Sequence, residues 1–203
     1  MKRLSTAILA LILALSAAST AFALGELPYA DVSKSDPCAE AVLELYDAGI
    51  MEGSGGMFRP DSTITRQEFA AVICRLLDEE ENAQAITASV FTDVPDTEWS
   101  VGYIARAAEL KIVNGYGGGR FGPKDPVTVE QAAKMLVCAW GYEDAAIAAG
   151  GWPSGYMSVA RDIGILTGVT EAGAAPAKRS VVAMMAYQTL MNPTAYEEGG
   201  CTE

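Results

Sequence analysis

Histidine is missing altogether from the 203 residues, and cysteine appears only four times. The first absence removes the commonest general base and the commonest zinc ligand together, which leaves only carboxylate-based catalysis open. Basic residues are scarce as well: 14 Lys and Arg stand against 26 Asp and Glu, a formal net charge of −12. Counterion-release binding needs a basic face, so this balance excludes nucleic acid or an anionic membrane surface as a general partner while still allowing a local anion site. Cys38, Cys74, Cys138 and Cys201 fit no zinc spacing, and four cysteines allow three pairings that sequence does not rank. Cys74 and Cys138 fall inside apolar helical runs and read as small buried hydrophobes.

Long apolar runs are confined to the beginning of the chain. Met1-Lys2-Arg3 precedes an apolar stretch from about Ala7 to Ala18, and small residues end in Ala21-Phe22-Ala23. That is a charged n-region, an h-region and an A-x-A cleavage site, so residues 1–23 are predicted to be a removed secretory signal peptide. The run is short for a membrane span, no cysteine follows the cut to take a lipid, and no later stretch has transmembrane character.

What the remaining chain does have is internal repetition. "YADVSKSDPCAEAVLELYDAGIMEGSGGMFRPDSTITRQEFAAVICRLL" aligns with "FTDVPDTEWSVGYIARAAELKIVNGYGGGRFGPKDPVTVEQAAKMLVCAW". Asp31-Val32 falls on Asp93-Val94, Gly53 on Gly115, Phe58-Arg59-Pro60 on Phe121-Gly122-Pro123, and Thr65 on Thr128. A third, more worn copy places Trp152 and Tyr156 on Trp99 and Tyr103 and ends in "AKRSVVAMMAYQTL". The predicted organisation is a first repeat over 27–78, an acidic linker over 79–90, a second repeat over 91–144, a degenerate third over 145–192 and a polar tail over 193–203.

Each unit reads as helix, glycine-rich loop, helix. Cys38, Ala41, Val42 and Leu45 make one apolar stripe at helical spacing, and Phe69, Val72, Ile73, Leu76 and Leu77 make another. Thr65 and Glu68 form a T-x-x-E capping box, with Ile64 and Phe69 placed as a hydrophobic staple. The second unit keeps the box as Thr128 and Gln131, with a stripe of Ala132, Met135, Leu136, Ala139 and Trp140; the third has Lys178 and Val181 instead. "DEEENAQAITAS" is expected to extend the preceding helix by a turn, and "GYEDAAIAAGG" to hold a short helix closed by Gly150-Gly151. A two-helix unit cannot bury its apolar faces alone, so the three must share one core, and the fold class is all-α.

Units that open "F-x-D-V…W", continue "G-I/V-x-x-G…G-x-F-x-P" and close "I-T-R-x-E-F/A-A" resemble S-layer homology domains, here a tandem of three, the second and third similar to a clostridial-type variant. The resemblance implies a pseudo-threefold helical bundle that holds exported proteins on the bacterial cell wall or surface layer. It does so by gripping secondary cell-wall polysaccharides, which often carry pyruvate ketals and hence carboxylates. It implies no cofactor, metal or catalytic residue.

The candidate ligand set follows residue by residue. Arg66 stands in the first turn of a predicted helix, where the positive end of the dipole disfavours a cation by roughly 0.3–1 kcal/mol. That placement makes sense if a carboxylate docks where free backbone N–H groups and the guanidinium fork both reach it, and Arg66→Ala is then expected to leave folding nearly untouched. Arg179 occupies the equivalent place in the third unit, whereas Val129, in the second, cannot bind a carboxylate. Trp99 and Trp152 sit where the resemblance implies a ring in the groove between units, with core packing as the alternative; the first unit has Pro37 there. Thr65 and Glu68 complete the set, although capping alone explains them. The glycine runs Gly53–Gly56 and Gly115–Gly119 lack the G-K-[ST] of a P-loop and read as turns.

Other classes are weaker. Asp93, Asp96 and Glu98 would be the acid and base of a glycan-cleaving enzyme, or calcium ligands, but they lie near a helix start where solvated capping is the ordinary use, and no D-x-D-x-D-G loop is present. A surface-lattice subunit is the main alternative to an anchor, and other surface proteins are further candidate partners. The export signal generates the first prediction: N-terminal sequencing of surface-extracted protein should begin near Leu24, and recovery of Met1 from a cytoplasmic fraction would contradict it.

Overall fold

The computed structural model describes residues 25–191; the expected signal peptide, Cys201 and the tail from 193 lie outside them. Eight helices are present among the described residues and no sheet: α1 Ala39–Asp47, α2 Arg66–Leu76, α3 Glu80–Gln84, α4 Val101–Glu109, α5 Val129–Ala139, α6 Glu143–Ala148, α7 Ser154–Asp162 and α8 Arg179–Met191. The all-α expectation is met. Each unit supplies a first helix (α1, α4, α7) and a second helix (α2, α5, α8).

The packing is cyclic. α2 lies against α4, α5 against α7, and α8 returns against α1, while the three second helices meet one another at the centre. The predicted stripes are what they bury. Val42, Leu45, Phe69, Ile73, Ala132 and Leu136 are fully enclosed, and they join residues of all three units in one hydrophobic cluster. Cys38 and Cys74 are buried thiols and Cys138 a partly buried one. Burial pushes the Cys74 and Cys138 thiols up to about 12, which keeps both protonated and inert.

Backbone hydrogen bonds close the cycle at the second helices' N-terminal ends. Ile64 N–H donates to Ala177 (3.2 Å), Ala177 N–H to Val127 (2.8 Å) and Val127 N–H to Ile64 (3.0 Å), so each unit gives one bond to a neighbour and accepts one from the other. The first amides of each second helix are also taken by a neighbour: Arg66 N–H by Asp125 and Gln67 N–H by Pro123, Val129 N–H by Ala175 and Glu130 N–H by Gly173, Arg179 N–H by Ser62 and Ser180 N–H by Pro60. Both capping boxes form. Thr65 accepts from Glu68 N–H while the Glu68 carboxylate accepts from Thr65 N–H, and Thr128 and Gln131 do the same.

Asp31 and Asp93 anchor the loops between the helices. The Asp31 carboxylate accepts from Phe58 N–H (2.8 Å) and Arg59 N–H (2.7 Å), and that of Asp93 from Phe121 N–H (2.7 Å) and Gly122 N–H (2.8 Å). Partial burial raises these carboxyls, but the backbone donors outweigh it and hold both below the usual range.

Two details differ from the sequence expectation. The acidic linker does not extend α2: the chain breaks at Asp78, in the left-handed region at φ 57°, and restarts as the separate α3. The third unit is also shorter than a worn copy would be. Gly102 of α4 packs so closely on α3 that a Cβ would collide with the Ala83 carbonyl oxygen, and Gly155 of α7 meets Ala146 of α6 in the same way. Yet the chain between Ala146 and Gly155 is about ten residues shorter than that between Ala83 and Gly102. The missing stretch is the one that carries Phe91 and Asp93 in the second unit.

Because each unit's helix ends are satisfied by another unit, a fragment ending at Asp78 should show no cooperative thermal transition, whereas the full chain should melt in one. A sharp independent melt of the fragment, followed by circular dichroism, would contradict the cyclic dependence.

Candidate functional site

A groove of about 300 Å³ lies where all three units meet. Arg66, at the start of α2, belongs to the first unit. Asn114, Gly115 and Tyr116, in the loop after α4, and Gln131, Lys134 and Met135, one face of α5, belong to the second. Trp152, just before α7, comes from the third.

Arg66 forms the groove's buried end. Its side chain extends from a residue only 5% exposed. Nε donates to the Phe121 carbonyl (2.9 Å) and Nη2 to that of Asn114 (3.3 Å). The guanidinium carbon lies 4.5 Å from the centre of the Tyr116 ring and 4.6 Å from that of Phe121. No carboxylate among the described residues is within ion-pair distance of it. Burial accordingly pulls its pKa down, against the adjacent Tyr116 and the more distant Asp125 and Asp93, although an arginine remains charged throughout. Two of its five N–H donors are thus used by carbonyls, which leaves three for a ligand or water.

This geometry corrects the physical basis expected for Arg66. The backbone N–H groups of the first turn are not free for an anion, since Asp125, Pro123 and Thr65 already accept from them. Only the side chain remains available. Arg66 also ties the first unit to two carbonyls of the second, so its side chain has a structural as well as a candidate binding use.

The other predicted residues are distributed differently. Arg179 repeats the arrangement in the third unit: Nε donates to Phe58 (2.8 Å), Nη2 to Glu52 (2.8 Å), and the guanidinium lies 4.8 Å from the Phe58 ring centre. Burial lowers its pKa, opposed first by the Glu68 carboxylate nearby. Val129, at the same place in the second unit, is fully enclosed. Trp152 and Trp99 are 48% and 53% exposed, so neither is a core plug. Each tilts against a tyrosine, Trp152 on Tyr156 at 6.3 Å and Trp99 on Tyr103 at 6.1 Å, but only Trp152 shares the groove with Arg66. Trp99 lines a separate hollow with Gln84, Thr87 and Asp96. Thr65 and Glu68 serve the cap, and the Glu68 charge also acts on Arg179 from beyond ion-pair distance.

Sequence reasoning missed Lys134, Tyr116 and Gln131. Lys134 Nζ lies 5.9 Å from the Trp152 ring centre and 5.1 Å from that of Tyr156, within cation–π range. Its signal was a cation on the otherwise small and apolar stripe "EQAAKML", where the first unit has Ala71. Among the described residues no group of acids or cysteines is arranged to hold a metal ion.

Comparison with known proteins agrees with this architecture. Residues 28–70 and 90–133 match the S-layer homology domain. The chain is 32% identical over 196 residues to a cell surface protein of Thermoanaerobacter kivui, covering 95% of this chain and 25% of that protein. It is 33% identical over 188 residues to the middle cell wall protein of Brevibacillus brevis, covering 91% of this chain and 18% of that protein. A cellulosome-anchoring protein of Acetivibrio thermocellus is 31% identical over 119 residues, covering 58% of this chain and 25% of that protein. The chain thus spans a quarter or less of the length of these relatives.

The Arg66 contacts predict the reverse of the sequence expectation. Arg66→Ala strands two carbonyls and removes a stacked cation, and should destabilise the chain by about 2–3 kcal/mol. A melting temperature equal to or above that of the wild type would show that these contacts contribute nothing.

Proposed function

We propose that this chain, an S-layer homology domain protein of the bacterial cell surface, is a non-catalytic module that anchors to the cell wall by binding an anionic secondary polysaccharide. A carboxylate such as a pyruvate ketal docks against Arg66, and a sugar face rests on Trp152. The observation that carries this reading is the buried guanidinium, desolvated and fixed by the fold yet without a carboxylate partner, at the end of an open groove. Two carbonyls and two ring faces hold the cation there, but no internal carboxylate neutralises it, and an external anion supplies what is missing. The exposed tryptophan beside it suits a sugar ring, whose C–H face needs an apolar platform. Relatives named for the cell wall, the cell surface and cellulosome anchoring support the same direction.

Arg179 is a second candidate cation, with the charge of Glu68 acting on it, while Thr65 serves the cap and Trp99 lines its own hollow. Nothing in the groove resembles catalytic machinery: the acids at Asp93, Asp96 and Glu98 lie outside it, with Asp93 occupied by backbone donors.

The test is retention of the full chain on purified wall sacculi before and after extraction of secondary polysaccharide, with Arg66→Lys alongside. Wild type should be retained only on unextracted walls. Arg66→Lys, which keeps the charge but not the planar fork, should bind the extracted polymer on the order of tenfold more weakly. Equal retention on extracted walls would overturn the proposal.

A further inference from the structure

The position of Arg66 recurs at the start of each second helix, but the side chains around it differ in charge. In helical register, the pair Gln131 and Lys134 on α5 corresponds to Glu68 and Ala71 on α2 and to Val181 and Met184 on α8. The groove that receives Arg66 therefore also holds Lys134, and the position equivalent to Glu68 is the uncharged Gln131. In the same register, Arg179 has Glu68 within electrostatic reach and Ala71 in place of the lysine. The third set of positions is apolar: Val129 and Val181 are buried and Met184 is partly buried.

We infer that Lys134 is a specificity-determining residue of this protein, making the Arg66 groove a doubly cationic site, selective for a carboxylate-bearing sugar, that the equivalent positions among the described residues do not match. The inference rests on the anchoring proposal above and deepens it. Lys134 has no carboxylate within ion-pair distance among the described residues; it is held instead over the rings of Trp152 and Tyr156. Those rings fix the ammonium beside the surface on which a sugar would stack, so one ligand can meet both cations and the indole. At Arg179 the equivalent positions are Glu68, whose charge acts on the guanidinium, and Ala71, which carries none. Glu68 cannot easily turn away, because the same carboxylate accepts from Thr65 N–H at 2.8 Å and from the Thr65 hydroxyl at 2.6 Å. An anion approaching Arg179 comes up to Glu68, whereas beside Arg66 the equivalent position is the neutral Gln131 and Lys134 adds a second cation, with Asp125 and Asp93 acting only from beyond ion-pair distance.

The discriminating experiment is calorimetry of the full chain against a pyruvate-ketalated wall polysaccharide and against the same polymer after mild acid has removed its ketals. Lys134→Met keeps the stem and matches the third unit's Met184, so folding, checked by thermal melts, should be preserved. It should weaken binding to the intact polymer about tenfold or more, the scale of one lost charge-assisted contact, and leave binding to the stripped polymer within twofold of wild type. Lys134→Arg should retain most of the preference. Equal weakening of Lys134→Met on both polymers would make Lys134 a packing residue and overturn the inference, as would no weakening at all. If Arg66→Lys nevertheless lost affinity, the anchoring proposal would survive that result. Wild type that does not distinguish the two polymers would remove both.

Discussion

Three backbone hydrogen bonds, running head to tail among Ile64, Ala177 and Val127, are the constraint on which the rest of the molecule depends. Each belongs to the segment entering a second helix, and each has its donor and acceptor in different units. Around them lies a second layer of the same kind, in which the first two amides of α2, α5 and α8 find acceptors in the neighbouring unit's loop. Helix N-termini usually meet this need with a side chain or water. Here the capping box satisfies the third amide in α2 and α5, and another unit satisfies the first two. The helix ends therefore register the units against one another, and the dipole that would attract a ligand is turned to holding the fold together.

The same construction decides what a ligand site can be made of. With first-turn amides committed, recognition falls to side chains standing at the edges of the closed ring. Asp93 fixes the loop at Phe121 and Gly122, the Phe121 carbonyl holds Arg66 Nε, and the loop's Tyr116 stacks on the guanidinium. Asp31, Phe58 and Arg179 repeat the first two steps of that chain. The aspartate of the repeated D-V motif thus acts at the groove through a phenylalanine carbonyl, without touching the groove itself. In an acidic protein of net charge −12, this local arrangement is what keeps a cation desolvated and free of internal carboxylates.

Much of the frame was legible in the sequence because it is written in local patterns. Helical stripes, both capping boxes and the repeat itself follow from spacings of a few residues, and the buried Val42, Leu45, Phe69 and Leu136 are among those the stripes pick out. What the sequence concealed is whatever depends on which unit faces which. Arg66 reads as an exposed arginine at a helix end, yet it is buried by a loop some fifty residues away. Glu68 reads as a cap and is one, but its proximity to Arg179 arises only when the ring closes. Lys134 was overlooked because a cation on an amphipathic helix is ordinarily solvated, and its aromatic partners lie in the next unit. The helix break at Asp78 was missed for a different reason: a left-handed aspartate leaves no periodicity to detect.

A frame held by main-chain bonds tolerates divergence at the groove positions, and the third unit shows how far this goes. It has lost about ten residues, including the stretch that carries the anchoring aspartate elsewhere, yet Ala177 still gives and accepts its ring bonds. At the groove facing that unit, Val129 replaces arginine and is fully enclosed. Both changes belong together. A guanidinium needs carbonyls presented at fixed positions, which in the other two units the aspartate secures; once that support is gone, an apolar side chain that asks for no acceptor is the stable occupant. Loss of the loop anchor and loss of the cation are two sides of one physical requirement, and the backbone ring is indifferent to both. Threefold architecture and unequal grooves are therefore compatible, because different parts of the chain specify them.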